Sequence, residues 1–216
     1  MRPWQFIVLG VVLLVGVGLV PASTSAQPVM YTFDTAESWL VVKLTKTGIA
    51  AVLAHDHAVR ASTFSGSITY DPNDVSACRV EITIPVEELV VDAPADRQRL
   101  ALEDGPGEKD RAKIKKSMLS KKQLWVENHP TITYQSTKCE ASGDQMMATG
   151  TLTIRGVTKE ITTPLRIGIE DARFTAEGQF TVNHTDFGFK PYSAALGTIR
   201  NADPLEFHLN LVATGQ

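Results

Sequence analysis

Apolar and polar residues alternate along most of this chain with a period of two, the spacing at which successive side chains of an extended strand point to opposite faces. The alternation runs through Leu40, Val42 and Leu44, through Phe64, Gly66, Ile68 and Tyr70, and through Cys78, Val80, Ile82, Ile84 and Val86. It stops after Glu87, then resumes beyond His129-Pro130 at Ile132 and Tyr134. It continues at Ala148 to Ile154, Leu165 to Ile169, Phe174 to Val182 and Leu205 to Leu211. Each segment predicts a strand with one apolar face.

The stretch from Gly150 to Thr162 predicts a hairpin: Leu152 and Ile154 alternate with threonines, Gly156 makes the turn, and Val157 and Ile161 resume on the far side. Between residues 87 and 128 the period changes. Asp92 to Gly107 reads as a polar loop with a short helix around Arg97 to Leu102, and Ile114, Met118 and Trp125 recur at helical spacing over Lys109 to Trp125. The expected fold is therefore mainly β. About eight antiparallel strands, with one or two helices inserted between residues 87 and 128, bury their apolar faces together by closing into a barrel, which also removes the sheet edges. Gly66, Gly150 and Gly178 fall on the predicted inner faces. They either leave space inside or mark strand bends.

The first 26 residues are set apart from this fold. Arg2, the apolar run Phe6 to Val20 and the small residues ending at Ala26 describe a secretory signal peptide cleaved after about Ala26, leaving a single domain over residues 27 to 216. The apolar run is shorter than the roughly 20 residues that cross a bilayer as a helix. Of 216 residues, 21 are Lys or Arg and 24 are Asp or Glu. Loss of Arg2 makes the mature form more acidic still, which argues against nucleic acid as a partner. The basic run from Lys109 to Lys122 reads as the solvated face of a helix or as a patch for an anionic surface, the first being the commoner use. Two cysteines, Cys78 and Cys139, allow one disulfide in an exported protein, or two buried thiols.

Four segments in order, YDPNDVSACRVEITIPVEEL, NHPTITYQSTKCE, GTLTIRGVTKEITTPL and HTDFGFKP, resemble the YceI-like family, and the likeness covers most of residues 30 to 213. That resemblance implies a small exported protein, periplasmic or secreted, with a lipocalin-like antiparallel β-barrel that binds a lipid or polyisoprenoid chain. No cofactor is implied beyond that apolar ligand. The partners implied are an isoprenoid-type small molecule and, transiently, a membrane surface. On this reading the ligand-lining residues are Leu40, Val42, Phe64, Ile68, Ile82, Leu152, Ile154, Phe174, Phe180 and Phe207. An eight-stranded ring leaves an interior just wide enough to be filled or to hold one small ligand. Were Phe64, Phe174, Phe180 and Phe207 to fill it, an interaction module would be the better reading.

The chain departs from that family at LAHDHAVR, Leu53 to Arg60, and in the charged stretch from Asp92 to Lys122. If Leu53 to Val59 is extended, His55 and His57 share a face and form a candidate metal pair, the basis of an alternative reading as a metal-binding protein or metal-dependent enzyme. The competing reading has the imidazoles hydrogen-bonded to backbone or to Asp56 at the barrel mouth. The chain carries no G-x-S-x-G, P-loop, H-E-x-x-H or C-x-x-C, and no carboxylate pair lies within an apolar run.

Overall fold

The structure, a computed structural model, describes residues 27–215. The expected signal peptide lies outside the described residues. Twelve strands and two α-helices follow in order. β1 (Val29–Phe33), β2 (Trp39–Thr47), β3 (His57–Ala61), β4 (Ser65–Tyr70), β5 (Arg79–Pro85) and β6 (Leu89–Val91) precede α1 (Pro94–Arg99) and α2 (Glu108–Leu119). The second half is all strand: β7 (Thr131–Ser142), β8 (Gln145–Ile154), β9 (Val157–Glu170), β10 (Arg173–Asn183), β11 (Ser193–Ala194) and β12 (Ile199–Gly215).

Eight strands close a ring in the order β1-β4-β5-β7-β8-β9-β10-β12, with β12 returning to β1. All the pairings are antiparallel, so the barrel expected from the alternation is the barrel observed. The closure depends on the length of β12. One edge of this 17-residue strand pairs with β10 from Pro204 to Thr214. The other edge takes β1 at Ala213 to Gly215 and β2 at Arg200 to Asn210. β3 and β6 extend the sheet beyond β2.

The hairpin turns where the sequence predicts. Ile154 pairs with Val157, and both Arg155 and Gly156 have positive φ, at 52° and 73°. A two-residue loop with both residues left-handed matches the right-handed twist of its strands, so Arg155 shares with Gly156 the strain that the sequence assigned to glycine alone. The predicted strand around Leu165 to Ile169 is the continuation of the same arm, a single 14-residue β9.

The helical region differs from expectation in its limits. Pro94 occupies the first turn of α1, where its missing N–H costs nothing, and the helix ends at Arg99 rather than reaching Leu102. α2 ends at Leu119, and Trp125 sits outside it with φ of 50°. Ser120 is already extended, so the helical spacing of Trp125 with Ile114 and Met118 is coincidental. Ile114, Met118, Leu124 and Val126 nonetheless pack against the core.

LAHDHAVR is not one extended run. Ala51 to Leu53 forms a single 3-10 turn, Leu53 is exposed, and the strand starts only at His57. The inner glycines are also not simple vacancies. A Cβ on Gly66 would meet the Glu81 carbonyl oxygen, and the residue is exposed at φ of 137°, a close strand approach rather than interior space. A Cβ on Gly150 would lie 2.6 Å from the Tyr134 hydroxyl, so that glycine makes room for a phenol ring.

Cys78 and Cys139 form a disulfide, Cα atoms 5.9 Å apart and both residues buried, which ties the start of β5 to its neighbour β7. The bridge spans 61 positions of sequence. On the loop-entropy account, removing it costs about 4 kcal/mol. Urea unfolding of the Cys78→Ser, Cys139→Ser protein is expected to show a clearly lower midpoint than the oxidised wild type, and superimposable curves would contradict that role.

Candidate functional site

The inner face of the ring is apolar by construction, yet several residues on it are only half-buried. Leu40, Val42, Leu44, Ile84, Tyr134, Phe180 and Phe207 all pack on the core without being fully enclosed. They border open space. Three adjoining chambers lie along the interior. The mouth chamber, about 190 Å³, has Leu44, His57, Lys113, Ser117, Tyr192 and Asn201 in its wall. It shares Leu44, Val59, Met118 and Gln123 with a middle chamber of about 120 Å³. The middle chamber in turn shares Leu40, Ile84, Ile132 and Phe207 with an inner one of about 80 Å³. α2 and the segment after it supply Met118, Gln123 and Leu124 to these walls, so the inserted region roofs the barrel. An apolar cavity of about 150 Å³ accommodates a benzene molecule, so each chamber is of the size of one or two short hydrocarbon units.

Seven of the ten expected lining residues border this space: Leu40, Val42, Ile82, Leu152, Ile154, Phe180 and Phe207. Phe180 and Phe207 stack at 4.6 Å as part of the wall. The other three, Phe64, Ile68 and Phe174, border none of the three chambers and are packed solid. Phe174 is clamped between Tyr31 and Tyr70 at ring distances of 5.2 and 5.5 Å, and Phe64 lies against Phe33 at 5.3 Å. These rings fill one sector of the barrel, while Phe180 and Phe207 leave the rest open. Leu44, Ile84, Ile132 and Tyr134 also form the wall and lie on the same alternations. Met118 reaches it from the helix, on the helical spacing it shares with Ile114, while Leu124 and His184 reach it from outside the regular elements of the alternation, where no periodicity marks them.

Tyr134 and His184 bring titratable groups to the two chambers below the mouth. The Tyr134 hydroxyl is enclosed beside the inner chamber with no hydrogen-bond partner among the described residues, and burial pushes its pKa up to about 12. His184, buried in the wall of the middle chamber, has its pKa lowered because burial disfavours the imidazolium more than Asp203 supports it. The neutral ring donates Nδ1–H to the Asp203 carbonyl oxygen at 2.7 Å.

The histidines of LAHDHAVR separate. His55 is exposed, ahead of the strand, whereas His57 opens β3 with Nδ1 held 2.7 Å from the Asp92 carboxylate. Among the described residues no group of three or more His, Cys, Asp or Glu is arranged to hold a metal, so the His55 and His57 pair expected from period-two geometry is not formed. Nor does Asp56 partner an imidazole; its carboxylate accepts the Lys46 backbone N–H. Asp92, the first residue of the charged stretch, is 1% exposed and left-handed at φ of 53°. It accepts from Ala58 N–H at 2.9 Å and from Arg97 Nη1 at 2.7 Å, and its own N–H donates to the Ala58 carbonyl. Burial alone would raise its pKa, but the bonds from His57, Ala58 and Arg97 and the His57 charge outweigh it and hold the carboxyl below its usual range. Arg97 is itself buried and bonds on to the Asp56 and Glu103 carbonyl oxygens.

A ring of this topology with an inserted roof is comparable to known proteins. The chain matches the YceI-like domain over residues 31–211. It belongs to the YceI-like family. A UPF0312 protein of Pseudomonas aeruginosa is 32% identical over 137 residues, covering 61% of this chain and 62% of that protein. Protein YceI of Salmonella newport is 28% identical over a stretch of the same length, 58% of this chain and 62% of the relative. The matched part of this chain thus spans less than two thirds of those relatives. Among solved structures, Burkholderia cenocepacia BcnA superposes with a TM-score of 0.63 over 84% of this chain and 99% of its own, at 19% identity, a likeness of fold. The YceI-like barrel with its apolar interior suits a small hydrophobic ligand.

The phenol buried over Gly150 has a spectroscopic signature. Its pKa in the folded protein lies above the unfolded value of about 10, so its contribution to stability is complete below pH 10 and is lost as pH rises towards 12. Ultraviolet titration of tyrosinate should show a component near pH 12 that Tyr134→Phe removes. Ionisation of every phenol near pH 10 would contradict the placement.

Proposed function

We propose that this protein is an exported carrier that holds a lipid or polyisoprenoid-type chain inside its barrel. The observation that carries the reading is the pair of adjoining apolar chambers, middle and inner, bordered by half-buried Leu40, Val42, Ile84 and Phe207. A void of about 120 Å³ costs about 3 kcal/mol by the usual dependence on cavity volume, a standing cost that a ligand would offset. Each methylene removed from water would add about 0.8 kcal/mol. The sequence features of a signal peptide support export.

A transient membrane contact belongs to the same reading. Ile49, Val52, Leu53 and Leu196 are 93%, 87%, 76% and 106% exposed. The two loops that carry them are joined by the Ala50 N–H to the Thr198 carbonyl oxygen, 3.0 Å, and the second begins beside Tyr192 at the mouth. Exposed aliphatic side chains gathered beside the opening of an apolar cavity suit insertion among lipid headgroups. Among the described residues no helix is long and apolar enough to cross a membrane.

Two experiments test these statements. Farnesol at about one hundred times its dissociation constant is expected to raise Tm by roughly 5–10 °C, the shift that about 2.7 kcal/mol of ligand stabilisation gives a domain of this size. Val42→Trp, which puts an indole beside Phe207 in the wall of the middle chamber, should fold and lose the shift; a wild type without any shift, or a variant that keeps it, refutes the carrier. Flotation with vesicles containing anionic phospholipid should recover the wild type and several-fold less of the Ile49→Asp, Leu53→Asp, Leu196→Asp protein. Equal recovery would remove the membrane contact and leave the carrier standing.

A further inference from the structure

The mouth chamber differs from the two beneath it in its polar side chains. Among the described residues no hydrogen bond reaches His57 Nε2, the Ser117 or Tyr192 hydroxyl, or the Asn201 side-chain amide, although all four residues line one space of about 190 Å³. Gln123 spends its amide on the Lys190 carbonyl oxygen at 3.2 Å, and Lys113 has one contact, to Asp110 at 2.8 Å, leaving further donors free. No carboxylate lines the chamber. The wall therefore offers an ammonium and an imidazole, each with one carboxylate partner outside the chamber and capacity left over, together with two hydroxyls and an amide.

Behind His57 stands a costly local arrangement. Asp92 is a fully buried carboxylate on a left-handed non-glycine backbone, and Arg97 is a buried guanidinium. Burying such charges is justified only where the geometry is tight and every group is bonded, as here, and non-glycine strain of this kind gathers at functional sites. Tying β3 to α1 requires only the Asp92–Arg97 pair and the Ala58 bonds. Adding His57 to the network has a different effect: Nδ1 is committed to Asp92, the ring is fixed, and Nε2 is left for the mouth. With Nδ1 held by Asp92, Nε2 is the ring nitrogen left to meet a ligand in the mouth.

We infer that the mouth chamber is a site for the oxyanion head of an amphiphile, a long-chain carboxylate or a prenyl-type monophosphate, held by His57 and Lys113. Ser117, Tyr192 and Asn201 complete its hydrogen bonds. Both heads are acceptor-only and negatively charged, which is what a donor-rich wall without a carboxylate selects, and charge-assisted bonds are the stronger kind. The chain of the amphiphile enters the middle chamber past Leu44, Val59 and Met118, the walls the two spaces share. This rests on the reading that the barrel holds an apolar chain, and it assigns the head to a residue pair that the chain alone does not bring together: His57 from β3 and Lys113 from α2.

The test compares heads at constant chain. Calorimetric titration of the mature protein with oleate against oleyl alcohol, and with farnesyl monophosphate against farnesol, is expected to favour the anion by about tenfold or more in at least one pair. Whichever pair shows the gap identifies the carboxylate or the phosphate. His57→Gln combined with Lys113→Gln should bring the anion to within about twofold of its alcohol and leave the alcohol's affinity unchanged. Should the His57 variant unfold, Lys113→Gln with Ser117→Ala makes the same comparison from the helix side and is expected to lose several-fold on the anion only. Alcohols and anions bound equally by the wild type, or a gap that survives the substitutions, would overturn the head site while the carrier reading stands. No binding of any of the four compounds would overturn both.

Discussion

The structure depends on one shared edge. β12 is long enough to pair with β10 along one side while giving its other side first to β2 and then to β1, and the β1 pairing closes the ring. Closure satisfies the backbone groups that an open sheet would expose and fixes the circumference at eight strands. The circumference sets the interior, and eight strands enclose a space that side chains can just fill or that can hold one small ligand. Where aromatic rings converge, at Tyr31, Tyr70 and Phe174, the interior is solid; where aliphatic residues face one another across the ring, it is not. The cavity is thus a consequence of closure together with an uneven distribution of side-chain volume around it.

Much of this was legible in the chain because a half-buried strand writes its burial into sequence at period two. The barrel, the hairpin at Arg155-Gly156 and seven of the ten wall residues follow from that rule. The three that did not, Phe64, Ile68 and Phe174, face inward as predicted, but alternation reports which face a residue occupies and carries nothing about whether the opposite wall is near enough to touch it. The disulfide was open between two readings until β5 and β7 proved to be neighbours in the ring. Period two also misled at Leu53 to His57, where a 3-10 turn replaces the extended run and sends His55 to solvent. The partner of His57, 35 positions away, is placed by the path of β6 and the loop after it, for which sequence has no periodic signal.

The inserted region does two jobs with one stretch of chain. Asp92, just ahead of α1, fixes His57 and is held in turn by Arg97 of that helix, and α2 then lends Met118 to the walls at the opening. The charge of that stretch, which looked like a departure from the family, is divided between a buried network and an exposed helix face. On the proposed reading, an apolar interior with a polar, cationic opening would let the hydrophobic term supply affinity below and directed bonds supply selection above.

The account stands most directly on what occupies the barrel of the protein as its own host makes it. Native mass spectrometry of protein purified from that host without detergent is the decisive measurement. The account predicts an adduct that survives gentle ionisation, departs on organic extraction, and extracts as a chain-bearing lipid. A protein that is reproducibly at its bare polypeptide mass, and that takes up no such lipid when host extract is added back, would contradict it.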